Sequence, residues 1–481
     1  MISFLLCIAI MLCGYLFYSR RIDRLFGADD RPTPAVTRAD GVDFIVLPPW
    51  KLFLIQLLNI AGLGPILGAL NGALFGPVCY LWITLGTVFL GGVHDYFSGM
   101  LSMRNGGSCL PELAGAYLGK AAQNLLRILT VFLLVLVGVV FSKGPAGLIA
   151  MLTPERYGES FFLVLIIAYY FIATFVPVDA VIGRIYPLFG VCLLVMAFGI
   201  SGSLLFTRGN AMPELWQHFA NEHPQGIPVF PFLFVTVACG AVSGFHATQS
   251  PMIARCCKSE RQGRRVFYGA MVAEGIIALI WAAAGVTCYE STQALLAAGG
   301  GINAVVYEIC STTMGKLGAV LAMLGVIVCP VTSGDTAYRS ARLALADVLH
   351  YDQSDWKKRL LLTVPLLGLG ALISLVDYQI VWRYFSWFNQ ALATICLWSG
   401  AVFLARSGKP HWCASLPACF MSAVATAYFL CAGECLGGVL QPWLGAMLYP
   451  LSVASGILVA GLFLLVFRKR TKKGAPSCEC L

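Results

Sequence analysis

Charged residues are scarce in this chain of 481 residues. Asp, Glu, Lys and Arg together make up 11% of it, whereas hydrophobic residues make up 59%. An average soluble domain carries about a quarter charged residues, and its core cannot bury so large an apolar fraction. The shortage of charge therefore excludes an ordinary water-soluble domain and indicates a chain whose solvent is the bilayer.

Cysteine spacing of the kind found in secreted, disulfide-linked domains is also lacking. The 18 cysteines mostly stand singly inside apolar runs, where a thiol packs as a small hydrophobic group. Cys478 and Cys480 form one CxC pair of the kind used for lipidation or metal binding. One short pair specifies neither use, so we expect no role for it.

Catalytic histidine patterns are missing as well. The six histidines are scattered along the chain, and none belongs to an HExxH motif. We therefore predict that the protein is not an enzyme and needs no cofactor. A nutrient sensor that binds a solute without moving it remains an alternative.

Apolar runs long enough to cross a bilayer, at about 20 residues each, predict an all-α polytopic membrane protein with about thirteen spans. The first run lacks a basic start and a small-residue cleavage pattern, so we expect a retained helix rather than a cleaved signal. The predicted spans are residues 2–18, 51–75, 77–98, 122–141, 160–177, 185–206, 229–249, 266–287, 316–338, 360–376, 384–405, 415–432 and 445–467.

Basic residues are distributed unevenly between the loops of these spans. If the spans alternate from an outer N-terminus, 27 of the 32 Lys and Arg residues lie on the inner side. This is the asymmetry that the positive-inside rule requires in a bacterial inner membrane, and it places the C-terminus in the cytoplasm. The net charge of +9 is thereby explained without a nucleic-acid partner.

Helix-breaking residues interrupt the second predicted span. The segment LNIAGLGPILGALNG contains Gly62, Gly64, Pro65 and Gly68, and Asn71 follows them. A broken helix leaves backbone amides and carbonyls unpaired, which is costly in hydrocarbon. We expect such a break only beside a cavity or well-packed protein. The candidate solute-binding residues of this segment are Gly62, Gly64, Pro65, Gly68 and Asn71.

The seventh predicted span is interrupted in a similar way. The segment CGAVSGFHATQSP places glycines and a proline around several polar side chains. The amide end of a half-helix suits an anionic carboxylate, and exposed carbonyls suit a cation. The candidate solute-binding residues of this segment are Ser243, His246, Thr248 and Gln249.

The two interrupted spans are five spans apart, which predicts two structural repeats around a transporter site. The expected divisions are 1–50 for a first helix and cytoplasmic loop, 51–206 and 207–405 for two five-helix repeats, and 406–481 for two more helices and a basic tail. The alternative is that the glycines and prolines only allow close packing or kinks.

A third polar cluster, CPVTSGDTAYRSAR, lies toward the inner end of the ninth predicted span. Its oxygen atoms suit a sodium ion or a hydrogen-bonded solute. An intramembrane carboxylate such as Asp335 is functional by default, with an ion pair to Arg339 or Arg342 as the alternative. The candidate ion-coupling residues are Thr332, Ser333, Asp335 and Thr336, with Thr332 and Ser333 as candidate ligands of Na⁺.

Two further segments supply candidates. His94 and Asp95, near the inner end of the third predicted span, suit a proton relay, although they could equally cap the helix and orient Arg104. His246 is a separate candidate for a proton. Asn389 is a further candidate for solute contact, beside tryptophans that an interfacial aromatic belt explains equally well.

Several segments resemble signature segments of the carbon starvation protein A family. They are GPILGA, GGVHDYFSGMLSMRNGGS, SGFHATQSPMIARCCKSERQGRRVFYGAMVAEGIIALIWA, SGDTAYRSARLALAD and FNQALA, in this order from about residue 45 to 400. The resemblance implies a leucine-transporter-like architecture, with a five-plus-five inverted repeat and two broken helices. The chain looks shorter than the long members of the family, which leaves their substrate and regulation open here.

The resemblance also implies nutrient import during carbon starvation, driven by a cation gradient. We therefore predict a secondary active transporter that imports a small carboxylate such as pyruvate with protons or sodium ions. Uptake of di- or tripeptides is the alternative. The expected partners are the solute, the coupling ion and the lipid bilayer.

Overall fold

The computed structural model describes residues 1–39, 44–175, 178–298, 301–349, 351 and 356–472. These residues form helices and connecting loops, with no strand in the part of the chain that the structure describes. The predicted all-α class is therefore confirmed. The pair Cys478 and Cys480 lies outside the described residues.

The first half of the chain contains the first predicted break, and its main helices are numbered in chain order. They are α1 Ile2–Phe26, α2 Pro49–Ile60, α3 Gly64–Ala73, α4 79–104, α5 Leu110–Leu118, α6 Lys120–Leu152, α7 Glu159–Ala173 and α8 Val178–Thr207. The turn Gly86–Gly91 of α4 is π-helical, and π-helical turns are frequent at functional sites.

The second half of the chain contains the second predicted break, and the numbering of its helices continues in chain order. They are α9 Val229–Thr236, α10 Gly244–Ala254, α11 Glu260–Cys288, α12 Thr292–Ala297, α13 Gly301–Leu349, α14 Trp356–Ile373, α15 Tyr378–Arg406, α16 Trp412–Cys431, α17 Gly437–Leu444 and α18 Leu448–Lys472.

Within the described residues, eight helices are long and apolar enough to cross a membrane, and the bent pair α2 and α3 makes nine. The shorter α7 is also apolar. These findings establish a multi-pass membrane protein, while the number of about thirteen spans stays a prediction. Apolar side chains cover the outer surface where lipid would lie: Leu458, Leu462 and Leu465 of α18 are 66%, 50% and 55% exposed.

Several helices are longer than predicted. The fourth predicted span ends at residue 141, but α6 continues through Pro145 to Leu152. The ninth begins at residue 316, but α13 begins at Gly301 and kinks at Gly315, where φ is 67°. A hydropathy pattern marks only the part of a helix inside hydrocarbon, so the polar turns beyond it are missed.

Hydrogen bonds join loops that the charge asymmetry assigns to the same side of the membrane. Arg261 binds Asp30 through two hydrogen bonds of 2.6 Å, and both residues belong to predicted inner loops. Lys143 donates to the carbonyl of Val376 at 2.8 Å, and both lie at the predicted outer face. Segments assigned to the same side are therefore neighbours in the fold.

Candidate functional site at two broken helices

The first break separates α2 from α3, whose axes differ by 50°. The backbone leaves helical geometry at Ala61, where ψ is 49°. A Cβ atom on Gly62 would lie 2.8 Å from the Phe141 ring, and one on Gly64 would overlap Cys239. Glycine is required here because protein packs directly against the unwound backbone, as expected for a break sheltered from lipid.

The second break separates α9 from α10 over residues 237–243. Gly240 has φ 90°, and a Cβ atom there would overlap Ala278 and lie 3.8 Å from Pro65. A Cβ atom on Gly68 would lie 3.2 Å from the Thr236 carbonyl oxygen. The two breaks are thus in direct contact, with α11 packed against both of them.

Asn389 caps the start of α10. Its Oδ1 accepts from the Ser243 hydroxyl at 2.9 Å and from the Phe245 amide at 2.8 Å. All three residues are buried, and the first amides of a helix otherwise lack partners. The structure therefore joins Ser243 and Asn389, both predicted as solute contacts, in a hydrogen-bonded cap.

Four fully buried side chains form a polar chain beside the breaks. His94 Nδ1 lies 2.8 Å from Asp95 Oδ1, and His246 Nδ1 lies 3.0 Å from Asp95 Oδ2. On its other side, His246 Nε2 lies 3.4 Å from Glu274 Oε2. Asp95 of α4 thus links two imidazoles, one of which extends from the second broken helix to α11. Such a chain can hold and pass a proton.

Glu274 is the residue of this chain that the sequence interpretation left unassigned. A signal existed, because Glu274 is an acidic residue within an otherwise apolar span. Cys239 also belongs to the group, since its sulfur, a His246 nitrogen and a Glu274 oxygen lie within 4.8 Å of one another. Their proximity depends on how the second broken helix and α11 come together in the tertiary fold, which no local pattern encodes.

A cavity of about 160 Å³ lies on one side of the breaks, and we name it the outer cavity because loops predicted to be outside contribute to its lining. The cavity on the opposite side is named the inner cavity. It is lined by Asn71, His223, Trp382, Arg383 and Glu434, among others. Burial lowers the pKa of His223, which keeps this loop imidazole neutral at pH 7. Arg383 and Glu434 pair at 3.6 Å, so the cavity carries one charge of each sign.

An inner cavity of about 390 Å³ lies on the other side of the breaks. Its lining includes Thr248, Arg255, Ser340 and the pair of Glu112 with Arg127, whose charged atoms are 3.5 Å apart. Of the predicted solute residues, Thr248 faces this cavity and Asn71 faces the outer one. The structure therefore distributes them between two compartments.

Aromatic rings separate the two cavities. Trp382 lines the outer cavity and packs on Phe385, with ring centres 5.4 Å apart. The Phe141 ring centre lies 6.3 Å from that of Phe385 and 5.8 Å from that of Phe245. Phe245 lies one helical turn before Thr248 on α10. These rings therefore form a continuous stack that begins at the lining of the outer cavity and ends one helical turn from Thr248, which lines the inner cavity. Gln249 is buried nearby, with Nε2 donating to the Thr248 hydroxyl at 3.0 Å.

The cluster on α13 divides between two faces. Ser333 and Cys329 face the first break and hydrogen-bond the Leu58 carbonyl oxygen at 3.3 and 3.4 Å. Thr332 and Thr336 hydrogen-bond carbonyls of their own helix.

Asp335 faces away from the break. It pairs with Arg339 at 3.5 Å beside a small cavity that Thr363 of α14 also lines. The predicted Na⁺ ligands and the predicted coupling carboxylate therefore do not converge on one point.

Two helices broken side by side within apolar spans, with a cavity on either side of the breaks, define a protein of the secondary-transporter class. The family model described as carbon starvation protein CstA matches residues 1–154, 153–295 and 284–428. The chain belongs to this family, as its signature segments predict.

Three relatives illustrate the family. An uncharacterized membrane protein of Haemophilus influenzae is 41% identical over 61% of this chain and 93% of its own length. The peptide transporter CstA of Campylobacter jejuni is 29% identical over 57% of this chain and 48% of its own length. The pyruvate/proton symporter BtsT of Escherichia coli is 26% identical over 57% and 47%. The chain thus matches about half the length of the two relatives named for transport.

The fold itself has a close counterpart among solved structures. The crystal structure of MhsT in complex with L-phenylalanine superposes with a TM-score of 0.56, at 15% identity, over 89% of this chain and 99% of that chain. This likeness confirms the predicted leucine-transporter-like architecture and concerns the fold alone.

Proposed function

We propose that this protein imports a small carboxylate nutrient such as pyruvate across the bacterial inner membrane, coupled to a cation gradient, when carbon is scarce. The observation that carries the proposal is the direct contact of the two broken helices between an outer and an inner cavity. The membership of the CstA family supports it, and so does the relative named as a pyruvate/proton symporter.

The solute would bind where the two breaks meet. A carboxylate is stabilised at the amide end of a half-helix, and α10 begins there at Gly244. His246 and Gln249 of α10 supply hydrogen-bonding groups beside it. The first break, with Gly62, Gly64, Pro65 and Gly68, is packed against protein in this structure, so the solute would reach it when the two breaks move apart. Asn71 would receive it from the outer cavity, and Thr248 would release it to the inner one.

The proposed coupling groups lie in two places. His94 and Asp95 belong to the buried polar chain, whereas Thr332, Ser333, Asp335 and Thr336 lie on α13. A transported cation would bind at one of them and leave with the solute. The two five-helix units, 51–206 and 207–405, would then rearrange around the breaks.

The proposed orientation places the N-terminus outside and the C-terminus in the cytoplasm. It is supported by the excess of Lys and Arg on one side. The contacts between loops assigned to the same side support the grouping of the loops on which this orientation is based.

Uptake of labelled pyruvate into proteoliposomes tests the proposal. An imposed inward proton or sodium gradient should drive accumulation above the outside concentration, and collapsing the gradient with an ionophore should abolish it. Empty liposomes and protein reconstituted without a gradient serve as controls. Uptake by intact protein that ignores both gradients would contradict symport.

Peptide uptake is the second candidate. The relative from Campylobacter jejuni is named a peptide transporter. The inner cavity, at about 390 Å³, is lined by the carboxylate of Glu112 and by the cations of Arg127 and Arg255, so both ends of a short peptide would find opposite charge. Di- and tripeptides added in excess should compete with pyruvate if this candidate is right.

A further inference from the structure

Glu274 lies where α11 touches both broken helices. Gly275, next to it, packs on Thr87 of α4, and Thr87 donates to the Gly240 carbonyl at 2.8 Å. One turn further along α11, Ala278 packs on Gly240. The backbone of Gly240 also faces the carboxylate. Any movement of the second break therefore changes the surroundings of Glu274.

The carboxylate of Glu274 is fully buried and poorly solvated. Among the described residues, no contact of either oxygen meets strict hydrogen-bond geometry, although the Gly240 backbone and His246 Nε2, at 3.4 Å, both face the carboxylate. An ionised carboxylate in such a place costs several kcal/mol unless it is paired and hydrogen-bonded. A single proton removes that cost, whether it lies on Glu274 or on His246 Nε2.

His246 is oriented to share this proton. Asp95 holds Nδ1 at 3.0 Å, and an Asp95 that accepts from this nitrogen directs Nε2 toward Glu274. The second oxygen of Asp95 lies 2.8 Å from His94 Nδ1, so Asp95 is stabilised as an anion by two imidazoles. The titratable groups around Glu274 are His246 of α10, Cys239 of the second break and, from α4, Asp95, which His94 contacts in turn.

The oxygen atoms at the first break are less suited to bind a cation than those of Glu274. The carbonyl oxygen of Leu58, which would be a ligand, already accepts from Ser333 and Cys329. Thr332 donates to the Cys329 carbonyl at 2.9 Å. These oxygens are satisfied within the protein, whereas those of Glu274 are not.

We propose that Glu274, paired with His246, carries the proton that drives solute import. This inference rests on the proposed function and names its coupling ion and carrier. A proton from water in the outer cavity binds the carboxylate, the neutral pair permits the breaks to rearrange around the solute, and the proton leaves to water in the inner cavity. No other bond is formed or broken. Asp95 and His94 act as positioning residues, because they orient His246.

Glu274→Gln in proteoliposomes is the central test. The amide keeps the shape of the side chain but binds no proton, so accumulation of pyruvate driven by a proton gradient should fall at least about tenfold. Exchange of labelled for unlabelled pyruvate needs no net proton movement and should stay within about twofold of the wild type. Glu308→Gln, at an exposed site on α13, is the matched control and should change neither activity.

The outcomes separate the two proposals. Gradient-driven accumulation by Glu274→Gln at the wild-type level would overturn the assignment of the carrier but leave the transporter intact. A wild type that neither accumulates nor exchanges pyruvate would contradict the proposed function instead. Loss of wild-type uptake on chelation, with recovery on adding zinc, would also overturn the assignment, because a metal ion would then occupy the group.

A spectroscopic measurement needs neither uptake nor a known solute. In wild-type protein, infrared difference spectra between high and low pH should show the carbonyl stretch of a buried protonated carboxyl group. Glu274→Gln should remove this band, while Glu308→Gln should keep it. A band that persists in Glu274→Gln would place the proton on another carboxylate.

Discussion

Gly64 and Gly240 stand where the two broken helices touch, and each is required for its own reason. Gly64 lacks room for a side chain, because its Cβ would overlap Cys239. Gly240 lacks room as well, and its φ of 90° favours glycine in any case. The contact between the breaks therefore depends on two single residues.

Gly64→Ala should weaken this contact. Overpacking of a filled interior costs about 1–3 kcal/mol, and here the strain falls on the unwound backbone that the solute is proposed to touch. We expect a lower unfolding temperature in detergent and a loss of pyruvate uptake larger than the loss of folded protein. Gly368→Ala on α14, where no neighbouring atom lies within 4 Å, is the control and should leave both unchanged. Normal uptake by Gly64→Ala would show that the breaks can separate without harm.

Asn389 tests the cap of α10. Asn389→Ala leaves the Ser243 hydroxyl and the Phe245 amide without their acceptor, at a cost of about 1–2 kcal/mol. Asn389→Asp keeps an oxygen at this position and should retain more stability and more uptake than the alanine variant. Thermal unfolding and proteoliposome uptake measure the two effects. Equal behaviour of both variants would argue against capping as the role of this side chain.

At the scale of helices, the sequence predicts where a helix is interrupted more accurately than where a helix begins or ends. Glycine and proline act locally, so the interruption between α2 and α3 is visible in a few residues. The length of α6 depends on what packs beside its polar turns, and hydropathy does not register this. The meeting of His246 with Glu274 depends on packing between separate helices, so only a set of candidates could be listed beforehand.

The two faces of α13 allow the predicted role of Asp335 to be tested. Asp335 is 8% exposed and pairs with Arg339, so Asp335→Asn removes this ion pair. We expect gradient-driven pyruvate uptake to fall about tenfold or more while expression survives. In the variant Asp335→Asn with Arg339→Gln, both charges are removed. If Asp335 only balances Arg339, this variant should regain uptake, whereas a coupling role predicts that it stays inactive.

At the scale of the whole molecule, one asymmetry organises the fold. Basic residues collect on one side of the predicted spans, and ion pairs such as Arg261 with Asp30 tie the loops of that side together. The charged residues of the cavities show the same asymmetry. Arg255 and Arg127 line the inner cavity, whereas the outer cavity has one basic residue, Arg383, paired with Glu434. A solute that moves from one cavity to the other passes the aromatic rings and both breaks.

The orientation of this asymmetry predicts which loops face the cytoplasm. Phe219 is 64% exposed in a proposed outer loop, and the Arg261 side chain is 67% exposed in a proposed inner one. A membrane-impermeant maleimide should therefore label Phe219→Cys in intact cells but label Arg261→Cys only after permeabilisation. The exposed ion pair that Arg261→Cys removes is worth at most about 1 kcal/mol, so this variant should fold. Labelling of the parent chain sets the background, because it already contains cysteines. If only Arg261→Cys is labelled in intact cells, the orientation is the opposite of the proposed one, and the roles of the two cavities are exchanged.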